Sequence, residues 1–134
     1  METKVSNENG KVPITVIEVE GSLDSSTYDA FQTEVNSLIE NGARYILIDL
    51  TDTEFISSAG FRSFNNIFNK LRSLNPDTNI SDDEMKKGIS AGTYKSPHLK
   101  LLNMSANSKS AFELAGFDLF IETFSDKQKA LASF

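Results

Sequence analysis

Tyr45-Ile-Leu-Ile-Asp-Leu50, then Thr51-Asp-Thr-Glu54, then Phe55-Ile-Ser-Ser-Ala-Gly-Phe-Arg62: this stretch decides how the chain folds. The first run is continuously apolar and closes on Asp49-Leu50, the pattern of a central parallel strand covered on both faces. The last run opens a helix whose apolar side chains, Phe61, Phe64, Phe68 and Leu71, recur at helical spacing. Ser57 and Ser58 are thereby delivered to the N-terminal end of a helix. Free backbone N–H groups and the positive end of the helix dipole favour a negative oxygen there. A serine in that place either caps the helix or receives a phosphate, and spacing alone leaves both readings open.

Working outward, the helix that begins near Phe61 stops before Asn75-Pro76, because the residue preceding proline avoids helical geometry. Upstream, residues 3–6 and 12–19 read as the two strands of a hairpin, with Asn7-Glu-Asn-Gly10 as the turn. The adjacent pair Val16-Ile17 breaks strict alternation, so both faces of that strand are expected to be covered. Ser26, with Asp29 three residues on, resembles a capping box at the start of a helix. That helix carries Tyr28, Phe31, Val35, Leu38 and Ile39 on one face and ends at Asn41-Gly42. Downstream, a strand is expected over 98–104, a short helix over 108–115 ended by Gly116, and a strand over 119–123. Ser125-Asp-Lys-Gln128 then opens a terminal helix with a capping box and buries Ala130, Leu131 and Phe134. Strands alternating with helices imply βαβ units. The expected fold class is α/β, a mostly parallel central sheet with an antiparallel N-terminal edge strand and helices packed against it. One domain over residues 1–134 is expected, with a polar inserted segment at 75–97 that holds a short helix over 81–87.

Composition removes several functions. The net charge is −6 and the Lys and Arg residues are scattered, so the basic stripe of a nucleic-acid binder is missing. No apolar run reaches membrane-span length, and the polar start lacks a signal-peptide apolar region, which leads to a cytoplasmic reading with no membrane partner. Without cysteine there is no disulfide, thiolate catalysis or Cys-ligated zinc. No Gly-x-x-x-x-Gly-Lys loop is present, and neither a cofactor nor a metal is expected. An esterase elbow needs glycines on both flanks of its serine, and Ile56-Ser-Ser-Ala-Gly60 lacks the first. A degenerate serine hydrolase would have to use His98, the single histidine, which sits beside Pro97 at a strand start and reads as structural.

Right-handed crossovers place all strand-to-helix loops at one edge of a parallel sheet. Three such loops, residues 21–26, 51–58 and 105–108, should gather there, and all are rich in Ser, Thr, Asp and Asn. Ligands and partners of open α/β sheets bind at this carboxyl edge.

At this point the residues carry a resemblance. Phe55-Ile-Ser-Ser-Ala-Gly-Phe-Arg62 after Ile48-Asp-Leu50 resembles the signature of the STAS domain family, named for sulfate transporters and anti-sigma factor antagonists. Gly21-Ser-Leu-Asp24 is similar to a second signature, and Phe112-Glu-Leu-Ala-Gly-Phe-Asp-Leu-Phe-Ile-Glu-Thr123 to a third. The likeness covers nearly the whole chain except 75–97. It implies an anti-sigma factor antagonist, not an enzyme, which binds an anti-sigma factor that is also a GHKL-type serine kinase. That kinase phosphorylates a serine at the start of the second helix, a PP2C-type phosphatase reverses it, and sigma-factor-dependent transcription is regulated. The usual motif is Asp-Ser-Ser/Thr-Gly-Leu. Laid on this chain, the phosphoacceptor matches Ser58, the preceding acid is Ser57 and the following hydroxyl residue is Ala59. Ser57 is therefore an alternative acceptor. Asp24, Ser25, Thr53, Phe55, Ser57, Gly60, Phe61 and Arg62 would contact the partner, and the protein is expected to be a monomer or weak dimer. The alternative implication is a STAS scaffold or accessory subunit of a larger signalling or transport complex.

Overall fold

Apolar periodicity organises the chain into two layers and part of a third. The computed structural model describes residues 1–74, 84, 87, 88 and 95–134. Its elements are β1 (Glu2–Asn9), β2 (Pro13–Leu23), α1 (Tyr28–Glu40), β3 (Ile46–Asp49), β4 (Thr53–Ile56) and α2 (Ser58–Leu74). They continue with β5 (Leu99–Leu102), α3 (Ala106–Leu114), a 3-10 turn (Phe117–Leu119), β6 (Glu122–Phe124) and α4 (Lys127–Ala132). The strands form one mixed sheet in the order β1-β2-β3-β5-β6, with β4 paired to β2 off that path. Among the described residues only β1–β2 is antiparallel, and the other pairings are parallel. The α/β class with an antiparallel first strand is as the sequence reads. The expected insertion at 75–97 and its short helix lie outside the described residues apart from 84, 87, 88 and 95–97.

Val16 and Ile17 are both fully buried, on opposite faces of β2. Ile17 joins Val19, Ile46, Ile48, Leu99 and Leu101 beneath Phe31 and Val35 of α1 and Phe64 and Ile67 of α2. The rings of Phe31 and Phe64 meet edge to face at 6.3 Å, which locks the two helices over the sheet. Val16 instead joins Ile14, Leu47 and Leu102 beneath Ala130, with Leu131 and Phe134 packed against them. Each fully buried side chain of this size contributes about 1.5–3 kcal/mol. The long β2 therefore cannot slip register by one residue without exposing one core and crowding the other.

Four local expectations are corrected. The hairpin does not turn at Asn7: β1 continues through Glu8↔Ile14 and Asn9↔Pro13, and the reversal is made by residues 10–12. The exposed polar side chains of β1 cost nothing on an edge strand, so backbone pairing with β2 outweighs the local turn preference. The last strand is Glu122–Phe124 rather than 119–123, because Gly116, at φ +83°, turns the chain into the Phe117–Leu119 3-10 segment first. α4 is capped by Asp126, whose carboxylate accepts from Lys129 N–H at 3.1 Å, and not by Ser125. The last correction concerns β4. Residues 51–58 are not all loop: Thr53–Ile56 forms a strand parallel to the upper part of β2. β2 thus pairs with β3 over Thr15–Glu18 and with β4 from Gly21 onward, and the register shifts at Gly21, whose φ is +97°.

Candidate functional site at the start of the second helix

The end of β2, the path through β4 into α2, and the loop after β5 meet at the carboxyl edge. Gly21 N–H donates to Asp52 C=O at 3.0 Å, and Ser57 N–H donates to Leu23 C=O at 2.9 Å. Asn103, after β5, reaches Thr51 Oγ1 with its side-chain amide at 2.9 Å. These three bonds join the end of β2 and the start of the loop after β5 to the 51–58 segment. The third expected loop, 105–108, is not in these bonds, and its residues 106–108 already belong to α3.

α2 opens immediately after Ser57. Phe61 N–H bonds to Ser57 C=O at 3.0 Å, and the Ser57 hydroxyl accepts from Ala59 N–H at 3.2 Å. Ser57 is the half-buried cap. Ser58, the first helical residue, is exposed, and among the described residues its hydroxyl has no hydrogen-bond partner. One serine finishes the helix and the next is left to solvent.

What holds that arrangement is an absence of volume. A Cβ on Gly60 would lie 2.6 Å from Leu23 C=O and 2.8 Å from Ile56 Cγ2. Glycine there lets the first turn of α2 settle against the end of β2, within reach of the Ser57–Leu23 bond. Thr53 is buried and donates its hydroxyl to Val19 C=O at 2.7 Å, tying the start of β4 to β2. Phe61 is also buried, with ring centroids 6.3 Å from Phe64, 6.0 Å from Phe112 and 5.9 Å from Phe117. Of the residues expected to contact a partner, Thr53, Gly60 and Phe61 thus lie beneath the surface and shape it. Ser25, Phe55 and Arg62 are exposed upon it. Phe55 stands out, with 56% of its surface open. Arg62, one turn after Ser58, has no ion-pair partner among the described residues.

Asp24 plays a local part. Its carboxylate accepts from the Ser26 backbone N–H at 2.9 Å and the Ser26 hydroxyl at 2.6 Å. These bonds, the hydroxyl first, hold the Asp24 carboxyl below its ordinary value. The capping box expected at Ser26 and Asp29 does not form. α1 starts after Thr27, whose hydroxyl donates to Ser22 C=O at 2.9 Å and accepts from Asp24 N–H at 2.9 Å. An open cleft of about 630 Å³ adjoins the loop, lined by Glu2, Glu20, Asp52 and Glu54 among others. That cleft, beside Gly21 and the start of β4, is mostly anionic.

His98 lies before β5, at the opposite edge of the sheet, where its Nδ1–H donates to Arg44 C=O at 2.8 Å and its ring packs on Tyr45. A strand's length separates it from Ser57 and Ser58, so no Ser–His pair exists. Among the described residues there is no cluster of three metal-ligating side chains, and no helix is long and apolar enough to cross a membrane.

Sequence reasoning missed β4 and Asn103. Thr-Glu-Phe-Ile carries the β-branched and aromatic content of a short strand, a usable signal. Asn103 sits at φ +57°, a left-handed conformation in which asparagine is enriched, but nothing local marks which asparagine adopts it.

With this geometry in place, comparison with known proteins assigns the family. The STAS domain model matches residues 4–80, more than half of the chain. This chain belongs to the STAS domain family. No curated protein matches it by sequence. Its fold is similar to that of an anti-sigma factor antagonist from Mycobacterium paratuberculosis, with a TM-score of 0.68 and 15% identity over 98% of this chain and 93% of that one. It is similar to a putative anti-sigma factor antagonist from Thermotoga maritima, at a TM-score of 0.66 and 15% identity over 87% and 83% of the two chains. The Bacillus cell fate determinant SpoIIAA in its phosphorylated form matches at a TM-score of 0.60 and 16% identity, over 95% and 96%. At these identities the likeness is one of fold. This STAS domain therefore has a SpoIIAA-like architecture, and anti-sigma factor antagonists are among its structural neighbours.

Proposed function

We propose that this STAS domain is a cytoplasmic anti-sigma factor antagonist switched by phosphorylation of Ser58. In its unphosphorylated form it binds an anti-sigma factor that is also a GHKL-type serine kinase. Phosphate transfer to Ser58 releases it, and a PP2C-type phosphatase restores it. The chain is the substrate of phosphoryl transfer, not its catalyst. The observation that carries this reading is the division of labour between the two serines. Ser57 is occupied as the helix cap, whereas the Ser58 hydroxyl is exposed and without a partner among the described residues. Ser57, half-buried and engaged, is the weaker alternative.

The physical chemistry of such a switch is local. A phosphate adds a charge of about −1.5 to −2. At the first turn of α2 the dipole favours it by about 0.3–1 kcal/mol, so the fold survives. A partner surface packed on a neutral hydroxyl would instead face a dianion whose desolvation costs several kcal/mol. A loss of about 2.7 kcal/mol already weakens binding a hundredfold. Asp24 follows Leu23, whose C=O holds Ser57 N–H, and adds like charge beside the switch, while Phe55, Ser25 and Arg62 are exposed on the segments that flank it.

The test is phosphopeptide mapping after incubation with ATP and the purified anti-sigma factor kinase of the same host. Ser58→Ala should stay folded, bind the kinase and accept no phosphate, while Ser58→Asp should fold and bind poorly. Phosphate mapped to any residue other than Ser58 overturns the assignment. A large assembly that persists whatever the phosphate state would favour a scaffold or transporter subunit instead.

A further inference from the structure

The loop after β5 is joined to the turn between β3 and β4 through one side chain. Asn103 donates from Nδ2 to Thr51 Oγ1 at 2.9 Å. Thr51 in turn donates its hydroxyl, at 2.5 Å, and its backbone N–H, at 3.0 Å, to Asp49 Oδ1. Beyond Thr51 the turn continues into the acceptor segment. Asp52 C=O takes Gly21 N–H, Thr53 N–H bonds back to Leu50 C=O at 3.1 Å, and β4 then leads straight to Ser57 and Ser58. Asn103 itself is anchored from behind, because its backbone N–H donates to Phe124 C=O at 2.8 Å. Its φ of +57° aims the side chain along this path, a conformation that a Cβ-bearing residue other than Asn or Asp adopts only with strain.

We propose that Asn103 is a positioning residue: through Thr51 it braces the turn that feeds β4, and so presets the acceptor segment for docking. Thr51 is exposed, and its other side-chain bond runs only to Asp49, two residues back at the end of β3. Backbone pairing already ties the start of this turn to β5, where Leu50 N–H donates to Leu102 C=O at 2.8 Å. The Asn103 link extends that tie by one residue to Thr51 and, through Phe124 C=O, refers it to β6. A turn so braced loses little further freedom when a partner closes on it, and that saving appears as affinity. The inference rests on the reading of Ser58 as acceptor for its functional consequence, but not for its structural one.

Two variants separate the bond from the backbone. Asn103→Gly keeps the left-handed conformation and removes the amide; Thr51→Val removes the hydroxyl from the other side. Amide hydrogen exchange over residues 51–57 needs no partner. Each variant should speed it by about two- to tenfold, the factor that matches loss of one hydrogen bond, while exchange in the β3 and β5 cores stays unchanged. The double variant should exchange no faster than Thr51→Val, which already removes the Asn103 bond together with the Thr51–Asp49 bond. In phosphorylation assays with the kinase, KM should rise by a similar factor at constant kcat. Unchanged exchange over 51–57 in Asn103→Gly, or additive effects in the double variant, overturns the proposal. Faster, non-additive exchange with no phosphate on Ser58 in the wild type would leave the brace standing and remove the acceptor reading. Faster exchange with normal phosphorylation kinetics would overturn the docking role.

Discussion

Replacing Gly60 by alanine tests the packing on which the whole site depends. At an ordinary helix position this change is favourable by about 1 kcal/mol, because glycine is the poorer helix former. Here the added carbon would sit 2.6 Å from Leu23 C=O, 2.8 Å from Ile56 Cγ2 and 3.1 Å from Leu23 Cγ. Comfortable carbon–oxygen separations begin near ~3.3 Å, so the carbonyl or the helix must retreat by about 0.7 Å. The same carbonyl accepts Ser57 N–H at 2.9 Å, and a retreat of that size takes the bond beyond hydrogen-bonding range. Overpacking costs about 1–3 kcal/mol and the lost bond about 0.5–1.5 kcal/mol, against the gain of about 1 kcal/mol in helix propensity. The net expectation is destabilisation near 2 kcal/mol, or a fall in Tm of about 6–10 °C for a domain of this size. Urea denaturation followed by circular dichroism gives the free energy, and amide exchange at Ser57 reports the bond. An unchanged or raised Tm would refute the argument, because it would mean that the first turn of α2 is not wedged against β2. A fall in stability with Ser57 N–H still protected would show that the strain is taken up elsewhere.

The remaining expectations concern the two serines, the exposed aromatic and the histidine. Ser57→Ala should cost about 1 kcal/mol through loss of the cap yet leave Ser58 modifiable, whereas Ser58→Ala should be nearly neutral in urea; the reverse order would exchange their roles. Phe55→Ser should leave the melting curve within about 0.5 kcal/mol of wild type and weaken binding of the anti-sigma factor by about thirtyfold in calorimetry; a Kd within twofold would remove Phe55 from the interface. Burial lowers the pKa of His98 from its ordinary 6.5, an effect its bond to Arg44 C=O opposes and the Arg44 charge reinforces. The unfolded chain then takes up the proton first as pH falls. This contribution to stability is complete above the unfolded value and is lost as pH drops from about 7 through the lower folded value. His98→Gln should flatten the stability profile between pH 7.5 and 5, and an unaltered slope there would refute the assignment.

Much of this protein was legible along the chain because it is local. The run Tyr45–Leu50 announces a strand buried on both sides, the spacing of Phe61, Phe64, Phe68 and Leu71 announces a helix, and the crossover rule then places the serine loop at the carboxyl edge. Even the double burial of Val16 and Ile17 follows from the broken alternation. Apart from the choice of capping residues and the turn at Gly116, what the chain alone left open was settled by residues far away in sequence. Pairing with β2 makes a strand of Thr53–Ile56, and the bond to Val19 draws Thr53 inward. Leu23 decides that position 60 has no room for a methyl group, and Asn103 decides how the Thr51 turn is braced. The two adjacent serines are chemically alike, and a local reading can only assign them both to a helix start. Their difference arises when α2 docks on β2, because the close approach of Ser57 to Leu23 turns one hydroxyl into the helix and leaves the other in solvent.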